Sequence, residues 1–461
     1  MPRDHAARSA KETLHEQSTR RRFLKRAAAG VTAAGLGLTA SSYAKVRGAN
    51  DRVRVAAVGI RGMGFSHVQA YSKLDNVEVA ALCDVDENIL ASRLANCQQA
   101  GIGRPDTYID LRKLLEDRTI DCVSVATPNH WHALAAFWAA QAGKHAAIEK
   151  PGTHNIFEGQ QLIKAAKKHN VLIQHHAERR CFTGFQEAMK FLHSGGLGEV
   201  YMAKGICYKW RDTIGKVDTP QPIPPGVHYD LWLGPAPYKP LMRQRLHYDW
   251  HWQWDYGNGD LGNQGAHQMD IARWGLGVQL PTRVVSMGGH FMFADDQQTP
   301  NVQMAWFEFP AADAKGETKK KVLQFEVRHW TSNHEGDLGE GPSNCIGNLF
   351  YGSEGYMTID GGGNWKTFLG KKRELGPTGS GGGNMFANFI DTIRSGDRSL
   401  LEGDITVGHY SCALIHLANT SYRLGRPLDF DPQTETYLND SEANAMLTRD
   451  YRAPYVITKE V

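Results

Sequence analysis

The sequence has no C-x-x-C pair: its seven cysteines (Cys83, Cys97, Cys122, Cys181, Cys207, Cys345, Cys412) are scattered singly. An odd, dispersed set makes a poor disulfide framework and a poor zinc site, and suits folding among reduced thiols. No apolar stretch reaches the roughly 20 residues that a membrane-spanning helix needs. There is no internal repeat, and low complexity is confined to glycine-rich loops at Gly361–Gly363 and Gly381–Gly383, which excludes a repeat architecture. Excess charge is also missing from most of the chain. Residues 1–44 hold eight Lys/Arg against three acids, a surplus of +5, so the remainder carries −2 of the overall +3. A near-neutral body excludes the basic footprint of a nucleic-acid partner.

What is present is a 461-residue chain with 41% hydrophobic and 22% charged residues, rich in glycine (48) and tryptophan (11). That length predicts two domains. The basic surplus sits in Thr19-Arg20-Arg21-Arg22-Phe23-Leu24-Lys25, which resembles the twin-arginine export signal. The following segment, Ala27–Ala40, is too short and glycine-rich to span a bilayer, and Ser42-Tyr43-Ala44 has the small residues of a cleavage site after Ala44. Residues 1–44 are therefore expected to be an address read by the twin-arginine translocase, with no permanent membrane span and a periplasmic or otherwise exported destination.

From Asp51, short apolar runs (Val53–Val58, Val77–Cys83, Cys122–Ala126, His145–Ile148, Val171–Gln174) alternate with helical stretches such as Leu134–Ala142 and Ile156–His169. This pattern predicts βαβ units on a parallel sheet. After about His176 the apolar spacing turns to period two, as in Val302–Phe309 and Val322–Val327, predicting a mostly antiparallel sheet. Helical spacing returns at Met385–Ser395 and Thr406–Leu424. The fold class expected is α/β: a Rossmann domain over 51–175, an α+β substrate-binding and oligomerisation domain with an open sheet over 176–432, and a tail over 433–461.

Gly59-Ile60-Arg61-Gly62-Met63-Gly64 follows the first strand and opens a helix. Glycines there let backbone approach a pyrophosphate seated on the helix N-terminus. The spacing is G-x-x-G-x-G instead of G-x-G-x-x-G. Asp84 ends the next strand, 25 residues after Gly59. A carboxylate there can hold both ribose hydroxyls and repel a 2′-phosphate, so NAD is expected over NADP. An ordinary strand–helix turn and a helix cap are the plain alternatives.

The stretch TPNHWHALAAFWAAQAGKHAAIEKPGTHN, with GNGDLGNQGAHQMDIARWGLG and the late GNMFANFIDTIRSG segment, resembles the Gfo/Idh/MocA oxidoreductases from about Asp51 to Pro432. The resemblance implies an NAD(P)-dependent oxidoreductase acting on CH–OH groups of a sugar, sugar derivative or cyclitol, in a homo-oligomer. It assigns Thr127, Pro128, Asn129, His132 and Glu149 to the cofactor side, and it puts Lys150, beside the nicotinamide, on the substrate hydroxyl. An ammonium there can stabilise the alkoxide that hydride departure leaves.

Many members read D-x-x-x-H where this chain has Asn263-Gln264-Gly265-Ala266-His267. Four-residue spacing places 263 and 267 on one helix face. His267 is the expected general base, because an unperturbed imidazole titrates near working pH. Asn263 cannot take a proton but can donate to and accept from vicinal hydroxyls. Upstream, Trp252, Trp254, Asp255 and Tyr256 lie in an aromatic–polar run that suits a sugar ring, or equally a loop core or subunit interface. His130-x-His132 and His175-His176 bring no neighbouring carboxylates in sequence, so no metal is expected.

An exported enzyme of this kind is expected to keep its cofactor bound. Coupled oxidation and reduction of two sugars would do so. So would a redox-neutral glycosidase that oxidises the ring transiently, or a binding or sensing protein that uses NAD without turnover. A fusion of residues 1–50 to a reporter should be exported, and changing Arg20-Arg21 to Lys-Lys should stop it. Continued export by the same route would refute the signal assignment.

Overall fold

Val53–Val58 is buried at five of its six positions because only Arg54 interrupts its apolar run. Strands of that kind build a parallel sheet: β1 (Val53–Val58), β2 (Val77–Cys83), β3 (Asp106–Tyr108), β4 (Cys122–Val125), β5 (His145–Ile148) and β6 (Ile173–His175). Their order is β3-β2-β1-β4-β5-β6, the dinucleotide-binding arrangement. The computed structural model describes residues 52–312, 318–330, 335, 338 and 344–461. The export segment and its cleavage after Ala44 lie outside the described residues. No helix among the described residues is long and apolar enough to cross a membrane. The short edge strand β3 escaped the sequence reading because its three residues are exposed or half-buried and form no apolar run.

A second, ten-stranded sheet contains β7 (Val200–Lys209), β8 (Arg283–Gly289), β9 (Val302–Ala312), β10 (Thr318–His329), β11 (Cys345–Gly352), β12 (Gly355–Asp360), β13 (Trp365–Leu369), β14 (Glu374–Gly379), β15 (Leu428–Asp431) and β16 (Thr436–Tyr437). The order is β14-β13-β12-β11-β7-β10-β9-β8-β15-β16. All pairings are antiparallel except β7 with β10. Period-two alternation turns Ala305, Phe307 and Phe309 into the core and leaves Met304 and Trp306 outside. The inner face packs against helices Thr183–His193, Gly265–Leu276 and Ile405–Leu424. A buried ion pair braces this layer: Arg180 donates twice to Asp270, both at 2.8 Å.

The chain then returns to the first sheet. Phe389 and Ile390 of helix Met385–Ser395 join the core on one face of the parallel sheet. Ile405, Tyr455 and Ile457 join the core on the other. Residues beyond 432 thus divide: Tyr437 and Ala443 pack in the core of the ten-stranded sheet, and Tyr455 and Ile457 beside the dinucleotide-binding layer. Phe389 is fully buried there, so Phe389→Ala should cost about 3–5 kcal/mol in chemical denaturation. A loss below about 1 kcal/mol would show that this helix is no part of that core.

Candidate active site

The glycine turn sits where the strand order reverses, between β1 and β4. Gly59 has φ +78°, and a Cβ on it would meet the Thr127 amide nitrogen at 2.8 Å and the Ala126 carbonyl at 2.9 Å. Gly64 closes the turn so tightly that its Cβ would meet the Gly59 carbonyl. Around Gly62, by contrast, nothing lies within 4 Å of the Cβ position. The helix Met63–Tyr71 begins there with no side-chain cap, leaving its first amides to a ligand or solvent.

From this turn a cavity of about 490 Å³ runs along the ends of the parallel strands. Gly59, Arg61, Gly62, Met63, Asp84, Thr127, Pro128, Asn129, His132, Glu149, Lys150 and Asn263, all predicted from sequence, line it. Ile60 and Gly64 do not. The Ile60 side chain lies in the core, and only its amide serves the site, donating to Asp84 Oδ2 at 2.8 Å. The Asp86 amide donates to Asp84 Oδ1 at 3.1 Å. Burial outweighs both and pushes the Asp84 carboxyl up to about 6. His132 bridges the strand-end turns, its ring nitrogens each 2.7 Å from a carbonyl, those of Thr127 and Pro151.

At the far end, Lys150 Nζ donates to the backbone carbonyl and the side-chain Oδ1 of Asn263, both at 3.0 Å. The carbonyl is free because helix Gly259–Asn263 stops there. Asn263 Nδ2 in turn donates to Asp260 Oδ1 at 2.9 Å. Burial works to raise the Asp260 pKa, but the His329 hydrogen bond and the Arg211 and Lys209 charges hold it well below its ordinary range. A carboxylate at 263 would face this one at hydrogen-bond distance, which gives the amide its physical reason. Burial also lowers the Lys150 pKa, with Lys209 adding to it and Glu149 opposing.

Asn263 and His267 do not share one helix, as the spacing predicted. The helix breaks at Gln264, and His267 belongs to the next one, Gly265–Leu276. His267 does not line the cavity. Burial and the charges of Arg179 and Lys150 push its pKa well down, so it is neutral. Its buried Nδ1 has no hydrogen-bond partner.

The premise that no carboxylate accompanies the paired histidines fails. His176 Nδ1 lies 3.4 Å from Glu149 Oε1, and His67 Nε2 lies 3.2 Å from the same atom. β5, β6 and the helix after the glycine turn bring them together from distant positions. One ligand atom from each lies within 4.8 Å of the others, a set able to hold a cation. The same atoms are satisfied by the two hydrogen bonds without one. Burial works to raise the Glu149 pKa, yet the bonds from His176 and His67 hold it well below its ordinary range.

The aromatic run divides. Tyr248, Trp250 and His251 line the main cavity with Trp131 and Trp232, residues that sequence reasoning missed. Trp252 lines an adjoining cavity with Arg61 and Tyr248. Trp254 and Asp255 line a separate one, and Tyr256 is packed in a local core with Trp232. The alternation of aromatic and polar residues marked the segment, but only backbone direction in its short 3-10 helix, Asp249–Trp252, selects the side chains that face the crevice.

The segment before this run straps across the Asp84 end. The His228 amide donates to the Val85 carbonyl at 2.9 Å, Asn88 Nδ2 donates to the Pro225 carbonyl at 2.8 Å, and the Glu87 amide donates to the Gly226 carbonyl at 2.9 Å. His247 Nε2 lies 3.0 Å from Asp86 Oδ2.

Comparison with known proteins decides the family. A model described as "Oxidoreductase family, NAD-binding Rossmann fold" matches residues 53–176, and one described as "Oxidoreductase family, C-terminal alpha/beta domain" matches 183–301 and 382–457. The chain belongs to the Gfo/Idh/MocA oxidoreductase family. A "Glycosyl hydrolase family 109 protein" of Shewanella putrefaciens is 32% identical over 171 residues, 32% of this chain and 37% of that relative. One from Shewanella pealeana is 33% identical over 122 residues, 26% of this chain and 27% of its own. The chain thus spans well under half the length of these relatives. Among solved structures, levoglucosan dehydrogenase in complex with NADH and levoglucosan has a TM-score of 0.61 at 18% identity, covering 82% of this chain and 99% of that one. Aldose-aldose oxidoreductase from Caulobacter crescentus has a TM-score of 0.60 at 18% identity, covering 82% and 100%. At such identities these two share the fold.

A nicotinamide dinucleotide fits this Gfo/Idh/MocA site. Gly62 leaves room for phosphates, and Thr127 Oγ1 is buried in the cavity wall without a partner. Ribose hydroxyls donating to Asp84 would favour its charged form, so binding releases a proton below the raised pKa. NAD affinity should therefore be highest above about 6 and weaken as pH falls through that value. Asp84→Asn should weaken binding at about pH 8 and erase the pH dependence. Equal wild-type affinity at about pH 5 and about pH 8 would refute this role.

Proposed function

We propose that this protein is an NAD-dependent oxidoreductase that exchanges hydride with a CH–OH group of a carbohydrate or cyclitol and keeps its cofactor through the cycle. The observation that carries the reading is Lys150, held on Asn263 at the end of a cavity that begins at the glycine turn. Bound NAD supplies the hydride acceptor and donor. Lys150 binds the reacting hydroxyl oxygen, and its lowered pKa lets it share or take the hydroxyl proton as charge develops there. Asn263 fixes the ammonium's position, and Asp260 fixes Asn263. His267 is neutral with an unpartnered buried Nδ1. Burial with the Arg179 and Lys150 charges makes it too weak a base to take the proton from Lys150, so the proton stays on Lys150 until the reverse transfer or solvent removes it. Trp232, Tyr248 and Trp250 supply the apolar walls and His251 a polar edge for a sugar ring.

Asp84 supports NAD over NADP, since a buried carboxylate repels a 2′-phosphate. The strap over residues 85–88 supports cofactor retention, which an enzyme exported through the twin-arginine route would need. Met287, Met304 and Trp306, exposed on the outer face of the ten-stranded sheet, support self-association through that face.

A second reading is a redox-neutral glycosidase, favoured by the relatives named for glycosyl hydrolase family 109 and by the same strap. The two separate in one experiment. Protein purified without added cofactor is mixed with a panel of sugars and glycosides while nicotinamide absorbance and aglycone release are followed. Lasting substrate-dependent reduction supports the oxidoreductase, and aglycone release without net reduction supports the glycosidase. Lys150→Ala should lower either rate by about 10²- to 10⁴-fold. An unchanged rate would overturn both.

A further inference from the structure

Arg61 and Tyr248 line the cofactor crevice and also an adjoining cavity of about 370 Å³. Small-ligand sites are commonly about 300–1,000 Å³. The rest of this wall is Trp210, Arg211 and Asp212, just after β7, with Arg245 and Trp252. It is the outer side of the support beneath Asn263. Arg211 donates twice to Asp260, both at 3.0 Å. Trp252 packs edge-on against His329, which also bonds Asp260. The cavity thus opens beside the reacting end of the crevice, and the chemistry proposed above does not use it.

Trp210 is 56% exposed, yet its indole is fixed from several directions. Trp330 lies behind it with ring centroids 4.3 Å apart, and Phe293 meets Trp330 edge-on at 5.3 Å. Asp212 Oδ1 accepts from Trp210 Nε1 at 3.2 Å, and Asn344 Oδ1 accepts from the Trp210 amide at 3.0 Å. Trp330 has φ +73°, a left-handed backbone that bulky residues adopt rarely. Such conformations persist where the surroundings enforce them, and they cluster at ligand clamps. Neither Trp330 nor Phe293 lines the cavity, so they back the indole that does. The result is a flat apolar face, open to solvent, whose rotamer freedom is spent before any ligand arrives.

The charges around this face balance. Arg211 is committed to Asp260, and Arg245 to Asp249 at 2.7 Å. Arg61 and Asp212 add one charge of each sign to the lining, which calls for no ion.

We infer that the adjoining cavity is a subsite for a second, uncharged sugar ring. The substrate is then a disaccharide or longer glycoside, with one ring at Lys150 and the next stacked on Trp210. This rests on the reading of Lys150 given above and narrows its substrate class. The indole takes the apolar face of the outer ring. Arg61, Asp212, Arg245 and the Tyr248 hydroxyl meet the hydroxyls at its edge. A free monosaccharide or cyclitol at Lys150 leaves Trp210 bare.

The test is calorimetric titration of the full chain, saturated with NAD, with cellobiose, maltose and lactose against glucose and galactose. At least one disaccharide should bind about tenfold or more tightly than both monosaccharides. Trp210→Ala should remove that advantage and leave monosaccharide affinity unchanged, and Trp210→Phe, which keeps a flat ring, should retain part of it. No advantage in any pair would overturn the subsite, as would an advantage that survives Trp210→Ala. Nicotinamide absorbance, followed in the same mixtures, separates the two readings. Reduction by sugars that show no disaccharide advantage overturns the subsite and leaves the oxidoreductase standing. A disaccharide advantage without reduction by any sugar supports the subsite and counts against the oxidoreductase.

Discussion

The ammonium of Lys150 rests on Asn263, and Asn263 rests on Asp260. Each link is a part-buried hydrogen bond, where a misplaced partner leaves a charge poorly paired. The chain runs between the two sheets' regions: Lys150 ends β5, while Asp260 is anchored by Arg211 just after β7 and by His329 at the end of β10. Aligning the reacting ammonium with the cofactor crevice therefore depends on the relative placement of both layers. The late return of Phe389, Ile405 and Tyr455 to the first sheet's cores holds that placement.

Burial pushes the carboxyls of the crevice the same way at both ends, and their hydrogen-bond partners decide opposite outcomes. At the glycine turn, Asp84 has only amide donors, and desolvation raises its pKa. At Glu149 the environment is equally dry, but two imidazoles reverse the outcome. One carboxyl is thus left for a ligand's hydroxyls to complete, and the other is already spoken for by protein. The strap over residues 85–88 lies at the unfinished end, where an occupant would gain most from being enclosed.

Much of the dinucleotide-binding layer could be read from the chain. Five of its six strands announce themselves as apolar runs, and β3 does not because an exposed edge needs no such run. The glycine turn, Asp84, Thr127–Asn129 and Lys150 were legible because each is local: a strand end, a turn, a helix start. Asn263 was legible as a position, but not its reason, since Asp260 and its partners Arg211 and His329 come from other elements. The helical register drawn through Asn263 and His267 failed because Gln264 breaks the helix between them.

By itself the sequence determined the order of strands and helices, the glycine-lined entry for a dinucleotide and the identity of the lysine at the end of β5. Those follow from periodicity, steric demand and family likeness, all of which act within a few residues. Only the tertiary structure decided which aromatics of the 247–256 run face the crevice and that Glu149 meets two histidines. The Glu149 contacts join residues 27 and 82 positions apart, set by how strands and helices pack, and no local pattern encodes such distances.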